Sequence, residues 1–255
     1  MDLYFELLKY PIFTLEDVCA FYNNQESARS ALKRLLSKGR VMRIRRNLYT
    51  AISGETGGPV ANRFQIASAI TKSAHVSHHS AMEYYGITDQ VFFEVYVGSE
   101  TPFQSFQFDG YAYHYVHSKF AEGIENVKYS SGIRVTDKER TLLESIKDMD
   151  KIAGPEEVLS NIENMNRISE DKMLKYLDLF NNQFLYQKTG YLLSRINDQL
   201  GLSADFFDIC RIKAGKSSRY LSSDFKNGTF DADWSLVVPQ IIFQTKNGGL
   251  LDANV

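Results

Sequence analysis

His75, His78 and His79 fall within five residues, and an H-x-x-H-H cluster of imidazoles is one way to hold a transition-metal ion. A site of that kind needs further ligands at fixed spacing. No second pair of cysteines or acids accompanies the cluster, and Ser77–Ser80 reads as the start of a helix, so no metal is expected there. Gly98-Ser99 followed by Asp109 has the spacing of a nucleotidyltransferase site, where paired carboxylates would hold metal ions. Tyr111 stands where the second carboxylate is required, and Asp109-Gly110 already reads as a tight hairpin turn. Asp231 and Asp233 lie in a polar, turn-like stretch with no strand before them. Glu170-Asp171-Lys172 matches the Glu-x-Lys of a restriction-type nuclease, but it follows Ser169 as the acidic first turn of a capped helix. No P-loop, dinucleotide fingerprint or nucleophile elbow occurs. No catalysis and no cofactor are expected from this set.

The basic residues suggest a different chemistry. Arg29, Lys33, Arg34, Lys38, Arg40, Arg43, Arg45 and Arg46 all lie between residues 27 and 50, a stretch without a single acid. Residues 1–50 carry a balance of +4 and the remainder −6, so the overall −2 conceals a basic end. Asymmetry of this kind fits contact with nucleic acid or another anionic surface. The plain alternative is a solvated basic face.

The elements that must position these cations read as three helices and a hairpin. Asp2–Tyr10 is apolar at Leu3, Leu7 and Leu8 and stops at Pro11. Thr14 is a suitable N-cap for a helix over 15–22, with Glu16 and Asp17 at its positive end. A third helix spans Gln25–Lys38 and ends at Gly39, a residue suited to the left-handed cap. Around this helix Ala28, Ala31, Leu32 and Leu35 share one face, whereas Arg29, Ser30, Lys33, Arg34 and Ser37 share the other. Cations and hydroxyls on an exposed face are the groups that meet phosphates and base edges in a major groove. Val41, Arg43 and Arg45 then alternate with Met42 and Ile44, a turn follows at Arg46-Asn47, and Leu48–Thr50 returns. Arginines crowded at one turn repel unless an anion is near, and Asn47 is among the few non-glycine residues that tolerate positive φ. The order is that of a winged helix-turn-helix over residues 1–52. Its expected DNA contacts are Arg29, Ser30, Lys33, Arg34, Lys38, Arg40, Arg43, Arg45 and Arg46.

Three glycines and a proline within Ser53–Pro59 place a linker at 53–61. Residues 62–255 read as a second domain. Helices are expected at 63–71 and from Ser80 to Gly86, the latter with Glu83 as a capping-box partner. Strands are expected over 90–135, including a hairpin around Asp109-Gly110, and they suggest an antiparallel sheet. Thr136 and Glu139 form a capping box leading into a helix, and further helices are expected at 155–164, 169–181 and 184–200, with a turn-rich tail from Ser217. The class is therefore α+β: an N-terminal winged helix-turn-helix, then a mixed domain with an antiparallel sheet and several helices.

Composition sets the limits. At 44% hydrophobic residues, with 17 Phe and 15 Tyr, the chain buries a substantial core and is not an intrinsically disordered one. Two isolated cysteines, Cys19 and Cys210, offer no disulfide framework and suit a reducing compartment. Asp2, Glu6 and Lys9 interrupt any signal-peptide core, and no apolar run reaches the ~18 residues of a membrane helix, so a cytoplasmic setting without membrane contact is expected.

Several phrases resemble the AbiE-type antitoxin family of transcriptional regulators. Gly39–Tyr49 (GRVMRIRRNLY) is similar to its wing. His75–Gly86 (HVSHHSAMEYYG), Val135–Glu144 (VTDKERTLLE) and the helix over Gly190–Leu200 are similar to its second domain. The resemblance implies an antitoxin and autorepressor of a type IV toxin–antitoxin (abortive infection, phage defence) system. It implies that the N-terminal domain binds inverted repeats in double-stranded DNA at its own promoter. The second domain would counteract a nucleotidyltransferase-like toxin without a stable complex. The family's basic contacts carry over to Lys33, Arg34, Arg43, Arg45 and Arg46; Asn47 departs from the glycine more usual there. Two alternatives remain open on the residues alone. One is a metal-dependent nuclease or nucleotidyltransferase with a DNA-binding arm, its turnover carried by Asp109, Asp231 or Glu170. The other is an interaction module gripping a partner through an exposed row of Tyr111, Tyr113 and Tyr115.

Overall fold

The structure, a computed structural model, describes residues 2–88, 90–152, 154–223 and 228–239. It is mixed α and β, and its contacts group into two compact units. The first holds the described residues up to Tyr84 together with Gln90–Thr136; the second holds residues 85–88 and the described residues after 136. No helix among the described residues is long and apolar enough to cross a membrane.

The first unit opens with α1 (Leu3–Leu7), α2 (Leu15–Cys19) and α3 (Gln25–Ser37), then β1 (Val41–Arg45) and β2 (Leu48–Ala51). Each helix begins on a side chain that accepts a first-turn amide: Asp2 for α1, Thr14 in a capping box with Asp17 for α2, and Asn24 for α3. The helix expected over 2–10 closes already at Leu7, and the one over 15–22 at Cys19. Gly39 ends α3 at φ +66°, as its sequence position suggests. A small core of Leu7, Phe13, Val18, Ala28, Leu32, Leu35, Val41 and Ala51 joins these elements. Phe13 adds a third extended segment to the hairpin through paired backbone bonds with Tyr49 of 3.0 and 2.9 Å.

Residues 53–61 form a hydrogen-bonded turn. The Ser53 amide donates to the Gly58 carbonyl and the Val60 amide to the Ala51 carbonyl, each at 2.9 Å. Beyond it lie α4 (Arg63–Ala69), β3 (His75–Val76), α5 (His78–Tyr84), β4 (Glu94–Ser99), β5 (Phe106–Phe108), β6 (Tyr111–His117), β7 (Ile124–Asn126) and β8 (Arg134–Thr136). The strands make one sheet in the order β5-β6-β4-β3-β8-β7. The expected antiparallel sheet is in fact mixed: β4 pairs parallel with β6, and β3 with β8, while β5–β6, β3–β4 and β7–β8 are antiparallel. The Asp109-Gly110 turn forms as expected, at φ +48° and +79°, and pins Phe106 opposite Tyr113. Because β5 takes the outer edge of β6, the other edge of β6 is left to pair with β4, and the connection makes that pairing parallel.

The second unit is helical: α6 (Lys138–Lys147), α7 (Met149–Ile152), α8 (Gly154–Glu163), α9 (Glu170–Phe180), α10 (Gln183–Ser194), α11 (Asn197–Leu200) and α12 (Ala204–Lys213). A small sheet follows, β9 (Arg219–Tyr220), β10 (Gly228–Asp231) and β11 (Leu236–Pro239), where only a turn-rich tail was expected. Every residue from Leu185 to Leu193 is buried, which makes α10 the central helix of this unit. Asp137, not Thr136, caps α6: its Oδ1 accepts from the Arg140 amide at 2.9 Å. Thr136 closes β8 instead, its hydroxyl 3.5 Å from the Val76 carbonyl. Asp137 Oδ2 also accepts from the Tyr176 hydroxyl at 2.7 Å and from Lys172 Nζ at 3.0 Å, and Glu139 accepts the Ser169 amide at 2.8 Å. This polar network ties α6 to α9, which gives the segment Val135–Glu144 a clear architectural role.

Candidate nucleic-acid interface

The apolar stripe of α3 turns Ala28, Ala31, Leu32 and Leu35 into the core and leaves Arg29, Ser30, Lys33, Arg34 and Ser37 exposed. Lys38 and Arg40 follow, also exposed, around the left-handed turn at Gly39. At the neighbouring hairpin Arg43 and Arg46 are exposed too. Among the described residues no carboxylate lies within 4.0 Å of Arg29, Lys33, Arg34, Lys38, Arg43 or Arg46. Such groups keep their attraction for an external anion. Arg40 differs: its guanidinium sits 4.9 Å from the Tyr4 ring centroid and 3.8 Å from Asp2 Oδ2. With Arg34, Lys38, Tyr22 and Asp2 it lines a cavity of about 340 Å³ at the C-terminal end of α3.

The hairpin departs from simple alternation. Arg43 pairs with Tyr49 and Arg45 with Leu48, so Ile44 is the extra residue of a β-bulge. The bulge turns Ile44 into the core and leaves Arg43 outside. Arg45 is thereby re-aimed. Its guanidinium carbon lies 5.6 Å from the Phe103 ring centroid and 5.4 Å from that of Phe106, and its Nη1 is buried without a hydrogen-bond partner. Arg45, expected among the DNA contacts, is half-buried here, unlike the exposed Arg43 and Arg46. Asn47 adopts φ +57°, as its place at the turn requires. Its side-chain oxygen also accepts from the Leu15 amide at 3.1 Å, a bond to the first turn of α2 that a glycine would lack.

The residues weighed for other chemistry are dispersed in structural roles. His75 Nδ1 donates to the Ser73 carbonyl at 2.9 Å, and its ring packs so closely on Gly98 that no Cβ fits between them. His78 Nδ1 lies 2.9 Å from the Ser77 hydroxyl. The His79 ring stacks on Phe92 at 4.2 Å and meets Tyr96 edge-on at 4.8 Å; burial pushes its pKa down to about 4. Among the described residues no group of three His, Cys, Asp or Glu is placed to hold a metal ion. The helix expected to open at Ser80 begins at His78; Ser80 Oγ instead accepts the Tyr96 amide at 2.9 Å, and Glu83 pairs with Arg63 at 2.5 Å.

Ser99 Oγ is held by Thr71 Oγ1 and Ser73 Oγ at 2.8 and 3.1 Å, and Asp109 forms its turn. Glu170 accepts the amide and hydroxyl of Ser203 at 2.7 and 2.8 Å. Asp231 accepts the Trp234 amide at 3.0 Å and faces Arg195 at 3.4 Å; Asp233 is exposed. Tyr113 is wholly buried while Tyr111 and Tyr115 are half-buried, so the three do not form an exposed row. Nothing local to residues 40–50 announces the bulge, the Asn47 cap or the Phe103–Phe106 contact. The nearest sequence signal is Asn47 itself, a non-glycine residue at a tight turn.

No family model and no curated protein matches this chain. Among solved structures it is similar to a crystal structure of the RV2827C protein from Mycobacterium tuberculosis, with a TM-score of 0.64 and 12% identity over 97% of this chain and 94% of that one. At that identity the likeness is one of fold.

Proposed function

We propose that the chain is a DNA-binding transcriptional autorepressor and the antitoxin of a type IV toxin–antitoxin system. The observation that carries the reading is the set of exposed cations on α3 and the hairpin, six of which have no carboxylate within 4.0 Å among the described residues. In this reading residues 1–52 are a winged helix-turn-helix. α3, with thirteen residues and about 20 Å of length, enters a major groove about 12 Å wide. Ser30 and Lys33 face base edges, Arg29, Arg34 and Lys38 face phosphates, and Arg43 and Arg46 reach the flanking backbone or minor groove. Arg40, braced on Tyr4 and Asp2, is a secondary phosphate contact.

The antitoxin half rests on the resemblance of His75–Gly86, Val135–Glu144 and Gly190–Leu200 to AbiE-type regulators. The cognate toxin is then nucleotidyltransferase-like and is opposed without a stable complex. The reading assigns no bond-making step to this chain, since Asp109, Glu170 and Asp231 each hold a turn or a helix start in place. Retention of a duplex taken from the chain's own upstream region supports the regulator. Relief of growth arrest caused by the product of the adjacent gene supports the antitoxin. Absence of retention at low salt overturns the first, and absence of relief the second.

A further inference from the structure

Leaving one guanidinium nitrogen buried without a hydrogen bond costs free energy even where the rest of the side chain is half-exposed, and an aliphatic side chain would avoid that cost. Arg45 nonetheless places its cation over two aromatic rings with Nη1 buried and unbonded. The rings are themselves fixed. Phe106 stacks on the wholly buried Tyr113 of β6 at 4.8 Å with 8° between planes, and Phe103 meets Tyr115 edge-on at 5.5 Å. Phe103 and Phe106 stand 6.5 Å apart at 65°, so the cation faces two quadrupoles in different orientations. Arg45 is also where the hairpin tip is organised. Its carbonyl accepts from Arg43 Nε at 3.2 Å, Arg46 is its neighbour, and Asn47 is tied to α2.

We propose that Arg45 is a positioning residue: clamped by Phe103 and Phe106 to the six-stranded sheet, it fixes the hairpin tip so that Arg43 and Arg46 are presented together. The clamp rests on the DNA-binding reading for its purpose but not for its existence. Phe103 and Phe106 thereby influence duplex affinity from the sheet, without touching DNA. The sheet becomes a place from which the hairpin's grip is set.

The test uses the full chain with Phe103→Leu/Phe106→Leu, which keeps apolar bulk and removes both ring quadrupoles. Phe103→Leu alone is the milder variant, and Phe106→Trp keeps a stronger π face. Backbone amide exchange over residues 43–49 and duplex affinity by fluorescence anisotropy are read together. The clamp expects exchange in the hairpin to rise on the order of tenfold in the double variant, with β4 and β6 unchanged and Phe106→Trp like the parent. Affinity falls by about the same factor, and adding Arg45→Met to the double variant lowers it no further. Unchanged hairpin exchange in the Leu variants overturns the clamp. So does an Arg45→Met variant that weakens binding and its salt dependence by about one phosphate while the Leu variants bind as the parent does. Should the parent retain no DNA, raised exchange in the Leu variants still establishes the clamp, and the DNA reading fails by itself.

Discussion

Asn47 performs two tasks at the hairpin tip: it accepts a left-handed backbone and it bonds the first amide of α2. Removing the side chain by Asn47→Ala loses the bond and forces alanine into φ +57°, so a loss of about 1–2 kcal/mol is expected. Asn47→Gly keeps the backbone at ease and loses only the bond, so it costs less; denaturant midpoints of the two variants give the order. His79 supplies one pH dependence, and Glu157, whose pKa burial raises to about 7, supplies another of opposite sign. Burial holds the His79 pKa near 4, below the ordinary 6.5, so the unfolded chain binds a proton that the folded chain refuses. Its contribution is full above about pH 6.5 and is lost as pH falls toward 4, an effect of order 2–3 kcal/mol. Thermal denaturation from pH 7.5 to 4.5 isolates this share as the difference between the parent and His79→Phe, which keeps a ring against Phe92 and loses less stability on acidification. A fall equally steep in that variant assigns the dependence to another group. The turn chemistry of Asn47 was plain from the sequence because it is local. The burial of His79 was not, since a histidine's pKa depends on the Phe92 and Tyr96 rings brought over it by the chain's later course.

Elements fared according to how local their determinants are. The amphipathic stripe of α3, the Thr14 cap and the Asp109-Gly110 hairpin follow from spacings of a few residues and form as read. The parallel pairing of β4 with β6 depends on which edge of β6 is left by β5, a choice that periodicity does not record. The helix read over 184–200 breaks between Ser194 and Asn197 without a glycine or proline to mark it. β9 and β11 pair in parallel across residues 221–235 in strands too short to leave a pattern. Within α10, Gly190 shows a long-range constraint directly: a Cβ there would collide with the buried Trp234 ring. Alanine would raise intrinsic helix propensity by about 1 kcal/mol, yet overpacking of this kind costs about 1–3 kcal/mol. Gly190→Ala is therefore expected to lower the melting temperature, whereas relief at the ring by Trp234→Phe in the same chain recovers part of it. A stabilised Gly190→Ala chain would show that Trp234 yields freely.

At the scale of the whole molecule, a nearly neutral chain is net positive over its first 50 residues and net negative beyond them, and that division is visible in the residue counts alone. The structure adds which cations are exposed. Arg45 is withdrawn onto Phe103 and Phe106 and Arg40 is braced by Asp2, while Arg29, Lys33, Arg34, Lys38, Arg43 and Arg46 stay exposed on two adjoining elements. Phosphate contacts from Arg29, Arg34, Lys38, Arg43 and Arg46, with Arg40 as a sixth, give an expected slope of log affinity against log salt near −5. Arg43→Ala/Arg46→Ala removes two contacts and brings the slope to about −3.5 on any duplex, whereas Ser30→Ala/Lys33→Ala reduces the preference for one sequence over another. The most direct measurement is a fluorescence-anisotropy titration of the full chain with a duplex from its own upstream region at several salt concentrations. A slope near −5 that falls by about 1.8 when Arg43 and Arg46 are replaced is the expected result. No binding at low salt, or a slope indifferent to those two arginines, contradicts the account.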